Sequence, residues 1–303
     1  MNYAVIDLGS NTIHLAIFEF DDDKMTKIFS EKEVASIAGY ISDGILSTEG
    51  ITEACRTVNN LKEIALRTVE PSNLYLFAAA SLRSIRNREE AVSTILRETS
   101  LVPDVLDGDE EAKIGFIGAS MGTECDEGLM VDIGGASTEL VLFRNGKVRE
   151  TASMPVGSLN MYKSYVKGTV PSADEKDKIC QAVDEQISRI EWADGVTCKR
   201  IVGIGGTIRA MQKLTRTLLD ADDEQKEIAV RCVKDMIKLL KRGDDVYKTV
   251  QTTIPERVLT ILPGLLILRQ VIKKFGCETI SVSRSGIRDG YIMGKVLKRY
   301  DIR

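Results

Sequence analysis

Two stretches of this chain nearly repeat each other: AVIDLGSNT at residues 4–12 and MVDIGGAST at 130–138. In both, a short apolar run ends in an aspartate (Asp7, Asp132), followed by an apolar residue, glycine, small residues and a hydroxyl. Apolar residues leading into glycine read as a buried strand that opens onto a tight turn. The two aspartates lie about 125 residues apart in a chain of 303, close to the length of one domain. A device repeated at that distance predicts a duplicated fold. The boundary is placed near Glu124–Glu127, giving domains 1–124 and 125–303.

The pattern around each copy supports this. YAVIDL, IHLAIFEF and TKIFSEKEVAS read as strands, and residues 47–68 have helical apolar spacing with Ser47 or Thr48 as cap. NLYLFAAA is a buried strand, followed by a helix over about 88–98 and an acidic helix start at Asp109-Glu110-Glu111. After residue 125 the strand, turn and hairpin return, with Asn145-Gly146 as the hairpin signal. Helices are expected at about 172–192, 226–242 and 263–275, and the strands RIVGIG and TISVS open onto further glycine-containing turns. Strands alternating with helices argue for α/β architecture.

Composition excludes several classes. No apolar run is long enough to span a bilayer, and MNYAVIDLGS lacks the features of a signal peptide, so a cytoplasmic protein with no membrane partner is expected. A net charge of −4 and 5% aromatic residues argue against a nucleic-acid partner. The six cysteines (Cys55, Cys125, Cys180, Cys198, Cys232, Cys277) form no CxxC pair, and His14 is the sole histidine, so no Cys/His zinc site is expected. The cysteines read as small buried hydrophobes.

Glycine-rich turns after strands expose backbone N–H groups to phosphate oxygens. Thr12 and Ser137 add hydroxyls. Asp7 and Asp132 repel phosphate directly but suit a hydrated Mg²⁺ that bridges to it. A single such turn is equally a structural turn. Two copies facing across a central cleft would clamp a chain of phosphates, and a third turn, GIGGTIR at 203–209, strengthens the reading.

DLGSN, DIGGAST and GIGGT also resemble the phosphate-1, phosphate-2 and third glycine-rich signatures of the acetate and sugar kinase/Hsp70/actin superfamily. AAASLRSIRN (78–87), DGDEEAKIGFIG (107–118), ILPGLLIL and SVSRSGIRDGYI resemble ordered blocks of the exopolyphosphatase/guanosine pentaphosphate phosphohydrolase (Ppx/GppA) group. The resemblance implies a duplicated actin-like (ribonuclease H-like) ATPase fold. It implies Mg²⁺-assisted attack of water on a terminal phosphoanhydride of inorganic polyphosphate or a guanosine penta/tetraphosphate, releasing orthophosphate. Glu111 matches the group's catalytic carboxylate and Arg83 its phosphate-contacting arginine. Gly9, Ser10, Asn11, Gly134, Gly135, Ser137 and Thr138 inherit phosphate-loop roles. Gly205, Gly206 and Thr207 are candidates for a distal phosphate or nucleotide. A homodimer and the short two-domain form are further expectations.

Other residues are read more plainly. Glu110 serves a helix N-terminus, Arg86 and Arg88 are solvated, and His14 is structural. Glu139 is either a ligand or an exposed strand residue, while Arg209, Arg284 and Arg288 are candidates for a polyanion path. Three departures stand out: Ser36 where the group has arginine, Ala79-Ala80 where it has Thr-Ser, and Ala136 where it has glycine. Each charge-assisted bond lost costs about 1.5–3 kcal/mol. They motivate a second function, a catalytically weakened polyphosphate- or (p)ppGpp-binding regulatory protein. An ATP-dependent small-molecule kinase shares the fold, but the EEA and GIRDG blocks argue against it.

Overall fold

The computed structural model describes residues 1–303 except 22–23, 220–226, 242–243, 301 and 303. The chain divides into two compact units, 1–111 and 112–303, so the division falls inside a helix, upstream of the 124/125 boundary expected from motif spacing.

Unit 1 is built on a five-stranded sheet. β1 (Asn2–Leu8) pairs antiparallel with β2 (Thr12–Asp21), which pairs antiparallel with the edge strand β3 (Lys24–Val34). A small ribbon, β4 (Ile41–Ser42) with β5 (Ile45–Leu46), leads into helix α1 (Thr48–Ala65). Ser47 caps α1 by accepting from the Gly50 N–H, as its sequence position suggests. β6 (Leu74–Ala78) then joins β1 in parallel, α2 (Ala80–Arg83) and α3 (Arg88–Thr99) follow, and β7 (Pro103–Val105) extends the sheet. The order is β3-β2-β1-β6-β7. Side chains alternate along a strand. Ala4, Ile6 and Leu8 of β1 therefore enter one core with Ile51, Val58 and Leu61 of α1 and Ile95 of α3. Asp7 falls on the other face.

Helix α4 (Gly108–Gly122) carries the chain into unit 2. There β8 (Glu127–Ile133), β9 (Thr138–Arg144) and β10 (Lys147–Met154) form an antiparallel meander. After α5 (Ser158–Tyr165) and α6 (Ala173–Ile187), β11 (Arg200–Ile204) pairs in parallel with β8. α7 (Gly205–Leu219), β12 (Glu227–Ala229), α8 (Arg231–Leu239), α9 (Asp244–Thr253), α10 (Ile261–Phe275), β13 (Thr279–Val282) and α11 (Ile287–Tyr291) complete the unit. Its sheet runs β10-β9-β8-β11-β13-β12. Three antiparallel strands followed by two parallel additions, β11 and β13, on the first strand's far side repeat the plan of unit 1, and β12 adds antiparallel at the edge.

The helix expected over 226–242 is corrected: its start is the edge strand β12, and residues 226 and 242 lie outside the described residues. Leu129, Val131 and Ile133 of β8 pack with α6 and α10, while Met130 packs with Phe116 and Ala119 of α4, Val141 and Phe143 of β9. Asp132 shares the second face. Five cysteines are buried and Cys232 is half-buried, consistent with small hydrophobes. Among the described residues no helix is long and apolar enough to cross a membrane.

Candidate active site

In unit 1 the turn after β1 presents Gly9, Ser10 and Asn11. Its carbonyls are consumed from one side: Ser10 O accepts from Ala38 N (2.8 Å), and Asn11 O from Ala35 N (3.1 Å) and Ser36 N (2.8 Å). In a trans peptide the next N–H points opposite to the carbonyl. Tying down Ser10 O therefore turns the Asn11 N–H to the open side. Ser36, in the left-handed region at φ 48°, also reaches Asn11 Oδ1 with its hydroxyl (3.4 Å). The residue standing in place of an arginine thus braces the loop. Ser81 donates to Leu8 O just before the turn.

Asp7 stands directly opposite His14 in the β1–β2 register, so the two side chains share one face. The His14 ring bonds the Thr12 hydroxyl at Nε2 (2.7 Å). Expected only as a structural residue, His14 is brought beside the candidate aspartate.

Arg83 ends α2, and its Nη1 donates to Glu111 Oε2 (2.6 Å) and to Leu106 O (3.1 Å). The side chains of Arg83 and Glu111 are 22% and 13% exposed, so this ion pair is largely withdrawn from water yet still reachable. Two residues 28 apart in sequence, both matched to blocks of the same group, are therefore in contact. Glu110 does what a helix-start residue should: Asp107 Oδ1 accepts from Glu110 N (2.8 Å), and Glu110 Oε2 accepts from Asp107 N (3.2 Å). This reciprocal capping fixes the first turn of α4 and leaves Glu111 to face Arg83.

In unit 2 the loop after β8 is held by the N-terminus of α5. Gly134 O accepts from Ser158 N (2.9 Å), Gly135 O from Leu159 N (2.9 Å) and Asn160 N (3.0 Å), and Ala136 O from Asn160 Nδ2 (2.8 Å). By the same peptide geometry, the N–H groups of Gly135, Ala136 and Ser137 turn away from α5, forming a concavity suited to an anion. The close approach needs Gly157, where a Cβ would collide with the Gly135–Ala136 peptide.

The hydroxyls differ in availability. Thr138 is fully buried and donates to Val156 O (2.6 Å); Thr207 is fully buried and donates to Ile133 O (2.9 Å). Both are committed to backbone carbonyls and position the chain around the loop. Ser137 is buried at the loop's end.

The third turn opens α7. Gly205 has φ +78°, and a Cβ there would fall on Asp132 Oδ1; a Cβ on Gly206 would fall on the Arg257 guanidinium. Asp132 and Arg257 thus flank the first turn of α7, and Arg257 Nη1 donates to Thr207 Oγ1 (3.3 Å). Burial pushes the Arg257 guanidinium below its usual value, while Glu256 and Asp132 act in the other direction. Arg209, one turn along α7, is pushed down to about 10, chiefly by burial and then by Arg288; Asp132 and Asp289 oppose the shift. Arg209, Arg257 and Arg288 therefore gather near Asp132. Arg284 is exposed. Arg257 escaped the sequence reading because it comes from a short 3₁₀ turn, Pro255–Arg257, with no glycine-rich signature of its own.

Glu139 is not an exposed strand residue. It is 2% exposed, lies directly opposite Asp132 in the β8–β9 register, and accepts from the Ser153 hydroxyl (2.9 Å). Two carboxylates on one face of adjacent strands are a hard-oxygen donor set of the kind Mg²⁺ takes, with water and substrate oxygens supplying the remainder. Among the described residues no three His, Cys, Asp or Glu side chains converge on a site of their own. Asp132 and Glu139 fit a cation shared with a ligand rather than one caged by protein.

Structural comparison places the whole chain on known folds. It matches an exopolyphosphatase from Cytophaga hutchinsonii over 100% of this chain and 99% of that one, with TM-score 0.87 and 20% identity. A Ppx/GppA family member from Aquifex aeolicus matches over 99% of both chains, with TM-score 0.80 and 24% identity. The fold is the duplicated actin-like α/β fold expected from the sequence. In sequence, the chain is 27% identical over 313 residues to a guanosine-5'-triphosphate,3'-diphosphate pyrophosphatase of Photobacterium profundum. It spans 61% of that protein's length. The pattern defining the Ppx/GppA phosphatase family matches residues 16–299, and this chain therefore belongs to that family.

Proposed function

We propose that the chain hydrolyses a terminal phosphoanhydride of inorganic polyphosphate or of pppGpp, releasing orthophosphate with the assistance of Mg²⁺. The observation that carries this reading is the Arg83–Glu111 contact of 2.6 Å, which sets a planar cation beside a carboxylate in a partly water-excluded position. Arginine binds two phosphate oxygens at once and stabilises charge that builds on them in the transition state. Glu111 accepts a proton from the attacking water as its oxygen bonds to phosphorus and the bridging P–O bond breaks.

The remaining residues hold the substrate. The room left by Gly205 and Gly206 is taken by the Asp132 carboxylate and the Arg257 guanidinium, and N–H groups of the Gly9–Asn11 loop in unit 1 and of the Gly134–Ser137 loop in unit 2 are each suited to cradle a phosphate. Arg209 and Arg257 offset its charge. Asp132 and Glu139 would be the oxygen donors for a Mg²⁺ that, when bound, neutralises and polarises phosphate oxygens; Asp7 is the matching carboxylate of the loop in unit 1.

Purified chain with Mg²⁺ is expected to release orthophosphate from tripolyphosphate, long-chain polyphosphate or pppGpp, and Glu111→Gln to reduce that release by about 10²–10⁴-fold. Release that persists in Glu111→Gln would overturn the mechanism. Tight binding without any release would establish instead the binding-protein reading, which the departures at Ser36 and Ala79-Ala80 motivate. Whether the chain works as a homodimer is read from the same preparation by light scattering.

A further inference from the structure

A pocket of about 420 Å³ in unit 1 is lined by Arg83, Ile85, Arg86, Asn87, Arg88 and Glu89. Arg86 and Arg88 are exposed residues of the kind usually dismissed as solvated, yet both open onto the concavity that Arg83 also lines. Three guanidinium groups within six residues repel one another; Glu111 already pairs with Arg83, and Glu89 is the one carboxylate among the lining residues, so the pocket keeps a net positive charge. The arrangement favours a bound anion.

Two further features make the pocket a built one. The Arg86 side chain is anchored: its Nη2 donates to Asp43 O, its backbone N–H donates to Gly44 O (2.7 Å), and its stem packs against Gly44. An anchored arginine loses less freedom when a ligand binds. Arg88, by contrast, has no hydrogen-bond or ion-pair partner among the described residues, so its donors remain for a ligand. Asn87, which precedes α3, spends its amide on Leu46, accepting from Leu46 N (3.0 Å) and donating to Leu46 O (2.9 Å). It also donates to Glu90 Oε2 (3.0 Å), and the first turn of α3 has no side-chain cap.

We propose that Arg86 and Arg88 form, with Arg83, a second phosphate subsite that grips a part of the substrate remote from the bond being cleaved. The proposal rests on the phosphohydrolase reading, since Arg83 is the residue shared between the two. One edge of the Arg83 guanidinium faces Glu111, and the side chain also lines this pocket, so a chain of phosphates passing Arg83 meets Arg86 and Arg88 next. Two sources carry that chemistry: the body of an inorganic polyphosphate chain, or the second diphosphate group of a guanosine nucleotide. The subsite makes Arg86 and Arg88 specificity-determining residues. They select for substrate extended beyond the reacting phosphates.

The test compares tripolyphosphate, long-chain polyphosphate and pppGpp as substrates of the full chain. In Arg86→Ala/Arg88→Ala, KM for the extended substrate rises about tenfold or more, and the preference for it over tripolyphosphate falls by the same factor. Arg86→Lys/Arg88→Lys retains part of the preference by keeping the charge, and Arg97→Ala, an exposed arginine farther along α3, leaves all three substrates unaffected. Loss confined to long polyphosphate identifies the chain body as the ligand; loss confined to pppGpp identifies the nucleotide's second diphosphate. An unchanged preference, or an equal loss on tripolyphosphate, overturns the subsite. If the unaltered chain releases no phosphate from any substrate, the phosphohydrolase reading fails, and the subsite is judged by direct titration. Tenfold weaker binding of long polyphosphate or pppGpp by the alanine double variant sustains it; equal binding, or none by either protein, overturns it.

Discussion

The β1–β2 and β8–β9 turns are two versions of one device, and they differ in what supports them and what faces the aspartate. In unit 1 the loop carbonyls are taken by a short braced segment, Ala35 to Ala38; in unit 2 they are taken by the N-terminus of α5 and the Asn160 amide. Both solutions consume the acceptors and turn the donors outward, so the amide-lined concavity follows from acceptor bookkeeping rather than from glycine alone. The partner of the aspartate is different. Asp7 faces His14, whereas Asp132 faces Glu139. The second turn therefore sets two carboxylates on one face, and the first sets one carboxylate beside an imidazole.

The sharpest way to break this contrast is to neutralise the two partners in turn. Glu139→Gln is expected to raise the Mg²⁺ concentration for half-maximal phosphate release by about 10–100-fold. His14→Gln shifts it less than about threefold, and equal shifts would erase the asymmetry. The second intervention attacks the α5 support. Gly157→Ala forces a methyl into the Gly135–Ala136 backbone and lowers the stability of unit 2 by about 1–3 kcal/mol in urea unfolding. Phosphate affinity drops with it if the loop depends on that support.

A third uses the arginines around Asp132. Arg209 is cationic below its lowered value of about 10 and neutral above it. Tripolyphosphate binding, measured by titration calorimetry, should therefore weaken about tenfold as pH rises through that value. The sign for folding is opposite: above about pH 10 the folded chain gives up this proton before the unfolded one does, so the group's penalty on folding shrinks as pH rises further. The smallest effect belongs to the brace in unit 1. Its hydroxyl contact is long and exposed, so Ser36→Ala costs less than about 0.5 kcal/mol and changes KM less than twofold.

Much of this architecture was legible because its signals are local. The apolar alternation of β1 and β8 and the glycines after them mark both turns, and the EEA block marks Glu111. What escaped depends on tertiary register. Glu139 looks like any strand glutamate until the two-strand pairing sets it against Asp132. Arg257 arrives from about fifty residues beyond Thr207, on a turn that carries no periodic pattern. α7 was hidden because Gly205 and Gly206 read as loop, although the first occupies a left-handed conformation that starts the helix against Asp132. Thr138 and Thr207 match a phosphate motif, yet their hydroxyls are spent on backbone carbonyls, which composition alone does not disclose.

The Arg83–Glu111 contact has a consequence for how the pair would meet a phosphate: Arg83 Nη1 donates to Glu111 Oε2 and to Leu106 O, so an oxyanion that takes the guanidinium competes with the carboxylate. In the proposed chemistry, phosphate oxygens compete for the arginine and free the carboxylate only as they occupy the site. The proton acceptor is thus released by arrival of the group it must act upon. Simple oxyanions would compete for the same guanidinium and so inhibit.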